Sequence, residues 1–157
     1  MRRSTLEEKR PIWEMVGYRP WPEQERVHKS TATKLPVVGG WRGMTSTTIA
    51  EEMLTHLMEY GLNQFHLMGR TYREPRVEFG YILDGLLKLD PQLVTKPFLS
   101  MPGDGAWKLQ VTPMVGGKRI LGATLETVSY EDALGIRGFR SDGAAIVEAG
   151  VVSLTAF

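Results

Sequence analysis

Apolar side chains return at helical spacing along two long stretches and in short unbroken runs along three others. Residues 47–60 place Ile49, Met53, Leu54, Leu57 and Met58 on one face of a helix, and Gly61 supplies a stop. Residues 74–89 repeat the pattern, with Val77, Tyr81, Ile82, Leu86 and Leu89 facing inward and Pro75 tolerated in the first turn. The runs at 35–38, 64–68 and 144–147 are short and continuously apolar, so they read as buried strands. Residues 1–17 form a helical arm with Ile12, Trp13 and Val16 as anchors. Pro20 and Pro22 stiffen the turn that follows, and Pro22 opens a short helix through Gln24 and Val27. Residues 90–106 are rich in Pro and Gly and read as loop. Residues 107–113 alternate, Gly116 and Gly117 turn, and 119–127 return, which predicts a β-hairpin.

Helices set between short apolar strands give an α/β domain with a mostly parallel sheet. One domain spans 1–157, with 1–17 as an arm and the 107–127 hairpin inserted at the sheet edge. Ligands of such sheets bind outside the carboxyl ends of the strands. The glycine turn after the 35–38 run and Glu148 after the 144–147 run both fall at such ends, so they are expected side by side.

Composition excludes more than it selects. A chain of 157 residues, 42% hydrophobic and 24% charged, can bury a real core. A net charge of +1 gives no strongly basic surface for DNA. The first 34 residues are more basic, with eight Lys/Arg against five Asp/Glu, as a solvated end often is. Without cysteine there are no disulfides or cysteine metal sites, and His28, His56 and His66 show no ligand spacing. No apolar run has transmembrane length and no secretory h-region opens the chain, so an intracellular compartment is the default.

Chemistry concentrates in residues 39–48, Gly-Gly-Trp-Arg-Gly-Met-Thr-Ser-Thr-Thr. Strand, glycine turn, helix is the layout of a phosphate-binding loop, where backbone N–H groups and a helix N-terminus face the anion. Against the pattern G-x-x-x-x-G-K-[ST], Gly39 and Ser46 match the ends, while Met44 and Thr45 stand where the inner Gly and the Lys belong. Gly40 and Gly43 let the backbone approach a phosphate, Arg42 is a candidate replacement cation, and Ser46 offers a hydroxyl to Mg²⁺. Thr45 and Thr47 are alternates if the register slips by one. The same string also reads as a glycine turn with a Ser/Thr helix cap. Glu148, after the 144–147 run, matches the acid that activates water in nucleoside triphosphatases, but Val147 stands where a metal-binding partner acid belongs. It also reads as a strand-end Glu meeting solvent. Gln24 carries an amide able to read the donor and acceptor edge of adenine, with Tyr18 or Trp21 to stack on the base. Its plain alternative is a surface helix residue.

Taken together, these positions resemble the N-terminal ATPase domain of the large terminase subunit, the DNA-packaging motor of tailed bacteriophages. Gly17-Tyr18-Arg19-Pro20, Gln24 and His28 to Ala32 look like the family's adenine-side segment, and Gly39-Gly40-Trp41-Arg42 begins where its phosphate loop begins. Ser46 to Glu51 resembles the helix behind that loop, and Arg70-Thr71-Tyr72 the Pro-Thr-Tyr segment. Leu134 to Gly138 resembles the Leu-Arg-Gly stretch, and Ile146-Val147-Glu148-Ala149 the end of the acidic strand, with Glu148 on the Glu and Val147 on the Asp. The resemblance runs from about residue 10 to the end of the sequence.

It implies a P-loop NTPase-like three-layer α/β fold truncated after the acidic strand, without the coupling segment, remaining strands and nuclease domain. It implies ATP and Mg²⁺ as cofactors, held by Gln24, Gly39, Gly40, Arg42, Gly43, Thr45 and Ser46, with Glu148 catalytic and Ser46 and Glu148 on the metal. Its partners would be double-stranded DNA, a phage portal, a small terminase subunit and further copies in a ring, in the cytoplasm of an infected host. The lost Lys and Asp put hydrolysis in question. The functions to separate are therefore a packaging ATPase, a non-catalytic homologue that binds a motor or capsid, and an unrelated α/β enzyme with an imitative glycine turn.

Overall fold

The computed structural model describes residues 4–32, 45–59, 61–132 and 140–147. The arm is helix α1, Leu6–Val16, which begins on a reciprocal cap: Thr5 N–H donates to Glu8 Oε2 at 2.7 Å, and Glu8 N–H donates back to the Thr5 hydroxyl. It ends at Gly17, whose φ of 78° is the left-handed stop a glycine supplies. Helix α2 is Pro22–Lys29 and α3 is Thr45–Glu59. After α3 come β1, Gln64–Gly69, and α4, Arg76–Leu89. The remaining strands are β2, Leu99–Ser100; β3, Lys108–Gln110; β4, Met114–Val115; β5, Lys118–Arg119; β6, Thr124–Ser129; and β7, Gly143–Ile146.

Five strands form one sheet in the order β2-β3-β6-β1-β7. β1 runs parallel to β6 and β7, while β3 is antiparallel to β2 and β6, so β3 alone is reversed. The sheet is mostly parallel, as the alternation of helices and apolar runs requires. The 107–127 hairpin forms, but not as an edge insertion. Its returning limb leads into β6, an inner strand between β3 and β1. The reason is visible in β6 itself: Leu125, Thr127, Val128 and Ser129 are all buried, so both faces are covered, as an inner strand demands. Only the β4–β5 ribbon, turning at Gly116 and Gly117 with φ of 58° and 77°, leaves the sheet.

The registers set Phe65, Leu67, Leu109 and Leu125 on one face. Leu54 and Leu57 of α3 and Phe79, Ile82 and Leu86 of α4 join them in one core. Gly85 fits this packing, because a Cβ there would lie 2.7 Å from Leu54 Cδ2. Val77 and Tyr81 do not face the core as the sequence spacing suggests; they are 56% and 48% exposed. The buried strip of α4 is Phe79-Ile82-Leu86, and Val77 and Tyr81 lie opposite it beside the Asp84–Lys88 ion pair. Residues 90–106, expected as loop, contribute the short edge strand β2. No helix among the described residues is long and apolar enough to cross a membrane.

Near its end α3 stacks His56 on Phe65 at the start of β1, with ring centroids 6.0 Å apart and planes within 12°.

Glu51, on α3, makes stability depend on pH. Burial pushes its carboxyl up to about 7, nearby Asp84 adding to the rise and Lys88 opposing it, and its Oε2 has no hydrogen-bond partner among the described residues. The folded state therefore holds this proton more tightly than the unfolded chain. The group's contribution is intact at pH 4 and is lost as pH climbs from the unfolded value through 7. Glu51→Gln should leave stability at pH 4 nearly unchanged and raise it at pH 8 by about 2 kcal/mol, after discounting for partial exposure. Urea titrations at both pH values check this; equal effects at both would remove Glu51 as the titrating group.

Candidate functional site

Three strands end level at the carboxyl edge of the sheet. Gly69 pairs with Ser129 and Met68 with Ile146. Beyond the ladders, Tyr130 N–H donates to the Gly69 carbonyl, Val147 N–H to that of Met68, and the Ser129 hydroxyl to that of Arg70. Of the residues expected at the site, Gly39, Gly40, Arg42, Gly43 and Glu148 lie outside the described residues, as do Met44 and the 35–38 run. Their expected meeting at one end of the sheet is therefore not visible. Gln24, Thr45 and Ser46 are described, and Gln24 bonds to Thr48, in the same first turn of α3 as Thr45 and Ser46.

Thr45 and Ser46 are the first residues of α3, both half-buried. Gln24 is nearly fully buried, not a surface residue. Its side-chain oxygen accepts from the Trp21 N–H at 2.8 Å, capping α2, and its nitrogen donates to the Thr48 hydroxyl at 3.0 Å. One turn along both helices, His28 Nδ1 meets Glu52 Oε2 at 2.8 Å. Gln24 and His28 are four apart on α2, and Thr48 and Glu52 four apart on α3, so each pair shares a helix face. Partners that rise together in number mean the helices run parallel, with both N-termini at one end. Hence the segment containing Tyr18 and Trp21 borders the first turn of α3.

A buried charge fixes the second rung. Lys9 of α1 is completely buried, and its Nζ lies 2.7 Å from both oxygens of Glu52 and 3.0 Å from the His28 carbonyl. His56 Nε2 stands 3.5 Å from Glu52 Oε1. Burial alone would raise the Glu52 carboxyl, but hydrogen bonds from His28, His56 and Lys9 hold it well below the usual carboxylate range. Beyond His28, Tyr18 Oη lies 3.0 Å from Nε2, and burial lifts the phenol far above its ordinary value, so it stays protonated. Trp21, by contrast, is 54% exposed.

These atoms suit one part of a nucleotide better than another. The first turn of α3 reads Thr45-Ser46-Thr47-Thr48 and carries no acid, so no carboxylate there opposes the N-terminal end of the dipole, and Thr45, Ser46 and Thr47 add hydroxyls beside the Gln24-bonded Thr48. No Lys or Arg stands in that turn to match a triphosphate's charge. Gln24 already spends its oxygen on Trp21 and one donor on Thr48, leaving a second amide hydrogen for a base. Among the described residues no cluster of three or more His, Asp or Glu could hold a metal ion, so Ser46 is the described member of the expected Mg²⁺ set. Lys9, Thr48 and Glu52 were not among the expected site residues. The paired four-residue spacings of Gln24–His28 and Thr48–Glu52 carry a signal for the ladder; nothing in the sequence places Lys9 on it.

No family model matches the sequence, and no curated protein matches it. Among solved structures, a mutant of the large terminase ATPase domain of Thermus phage P74-26 superposes with a TM-score of 0.76 at 18% identity, over 99% of this chain and 62% of that one. A second structure of the same ATPase domain gives 0.71 at 18%, over 93% of this chain and 58% of its own. The chain thus spans about three fifths of the structures it matches. At this identity the likeness is one of fold: the chain is similar in fold to the ATPase domain of a large terminase.

Proposed function

We propose that this chain is an ATP-binding domain of the terminase large-subunit type that serves viral DNA packaging in the cytoplasm of an infected host. The observation that carries this is the Gln24–Thr48 bond, which joins the base-side segment to the first turn of α3 within a fold shared with a terminase ATPase domain. Double-stranded DNA, a phage portal, a small terminase subunit and further copies in a ring are the partners that go with it. Binding of ATP is weak. The dipole and hydroxyls of α3 remain, but Thr45 stands at the Lys position, and a lost charge-assisted contact is worth about 1.5–3 kcal/mol. Calorimetry with ATP and Mg²⁺ should therefore give an affinity about tenfold to a hundredfold below that of a loop with its Lys. Submicromolar binding would show that another cation, Arg42 first, takes the Lys role.

Hydrolysis by this chain alone is negligible, because phosphoryl transfer depends on positioning and charge neutralisation. Val147, at the position of the metal-binding Asp, is 4% exposed, a buried apolar side chain. The combined change Met44→Gly, Thr45→Lys and Val147→Asp should raise both ATP binding and turnover, measured by calorimetry and phosphate release. No gain in either would count against the phosphate-loop register. The buried Val147 also favours a second reading: a non-catalytic homologue that keeps the fold as a structural or regulatory partner of a phage motor or capsid. Under it, nucleotide binding would be absent even after the three substitutions.

A further inference from the structure

We propose that Glu52 is a positioning residue for the nucleotide base, acting through His28 on Tyr18. The inference rests on the nucleotide reading above. Tyr18 belongs to the base-side segment, and its ring is set by four contacts: edge-on to Trp13 at 5.5 Å, edge-on to His28 at 5.7 Å, and the hydroxyl on both His28 Nε2 and the Thr48 hydroxyl. The imidazole is itself fixed. Its ring lies 4.5 Å from that of Trp13, its other nitrogen is on Glu52, and its carbonyl is on Lys9. Glu52 as an anion only accepts, so His28 Nδ1 donates to it. Nδ1 is thereby turned to the carboxylate and Nε2 to the Tyr18 hydroxyl. Removing the carboxylate frees the imidazole, and the phenol keeps only Thr48 of its two hydrogen-bond partners.

The phosphate side is built differently. It depends on the first turn of α3, which Gln24 holds through Thr48, and that bond stays in place when the Tyr18 hydroxyl, Thr48's other partner, is released. Glu52 lies one turn further along the helix, and its side chain is held by Lys9, His28 and His56. Loss of the Glu52 rung should therefore weaken recognition of the base and spare recognition of the phosphates. A merely structural role would weaken both.

The test titrates ATP and inorganic tripolyphosphate, each with Mg²⁺, onto the wild-type chain, Glu52→Gln and Tyr18→Phe. Wild type should bind ATP more tightly than tripolyphosphate. Glu52→Gln should weaken ATP about tenfold and Tyr18→Phe about threefold, with tripolyphosphate changed by less than about twofold in either. Equal losses for both ligands, no loss of ATP affinity, or equal wild-type affinity for the two would overturn the assignment. Tyr18→Phe leaves the Lys9–Glu52 pair intact, so it decides the matter if Glu52→Gln does not fold. A wild type that binds neither ligand removes the nucleotide reading, and this inference with it.

Discussion

Glu52→Gln should cost about 3–5 kcal/mol of folding stability, because it leaves the Lys9 ammonium buried beside a neutral amide. Lys9 has no solvent access, and it also donates to the His28 carbonyl at 3.0 Å. Among the described residues no second carboxylate pairs with Lys9. Lys9→Met should cost somewhat less, since the Glu52 side chain retains 11% exposure and its contacts with His28 and His56. The informative variant is the pair Lys9→Met with Glu52→Gln. Removing both charges also removes the penalty for burying one alone, so the double variant should be more stable than Glu52→Gln. It should still fall below wild type by about 1–3 kcal/mol, because the His28 carbonyl loses its donor and Nδ1 its anionic acceptor. Urea unfolding of all four proteins closes the cycle. Losses that simply add would mean the pair is not coupled in solution.

The cluster also marks where sequence stops being informative. Helices α1, α2 and α3, strand β1 and the turn at Gly17 follow from capping residues, prolines and apolar spacing, which are local signals. Even the hairpin at Gly116-Gly117 is local. What was not legible is which strand β6 pairs with on its other side: inserting it beside β1 depends on contacts some sixty residues away, Gln64 with Thr124 through Gly69 with Ser129. Likewise, Lys9 as a charged residue on an amphipathic helix reads as solvated. Its burial depends on Glu52, a partner forty-three positions along the chain. Gln24 was legible as a polar residue with a task, but its burial and its bond to Thr48 were not, since both require knowing that α2 and α3 run side by side. On α4, Ile82 and Leu86 are buried as their spacing suggests, while Val77 and Tyr81 turn out exposed for a related reason. Val77 and Tyr81 satisfy a helical period as well as Phe79 does, and only the position of α3 selects between the two faces.

That choice of face sets the second large effect. Phe79→Ala should cost about 3–5 kcal/mol, while Val77→Ala, on the neighbouring turn, should change stability by about 0.5 kcal/mol or less. Phe79 has no exposed surface and packs in the core with Ile82, Leu86 and Leu54. It also meets Trp107 edge-on, with centroids 5.6 Å apart. Trp107 in turn holds the start of β3: its N–H donates to the Thr127 hydroxyl, its indole N–H to the Pro102 carbonyl, and the Arg76 guanidinium sits 4.7 Å over its ring. Arg76 donates to the Gly103 and Gly105 carbonyls, so the 102–107 loop, β3 and α4 are fastened at one point. Truncating Phe79 opens a cavity under that point and removes one wall of the indole's surroundings, so a shift in Trp107 emission should accompany the loss of stability. Denaturant midpoints for the two variants give the comparison. If Val77→Ala proved as costly as Phe79→Ala, α4 would present the face that its sequence period suggested, and the packing of α3 against Gly85 would have to be redrawn with it.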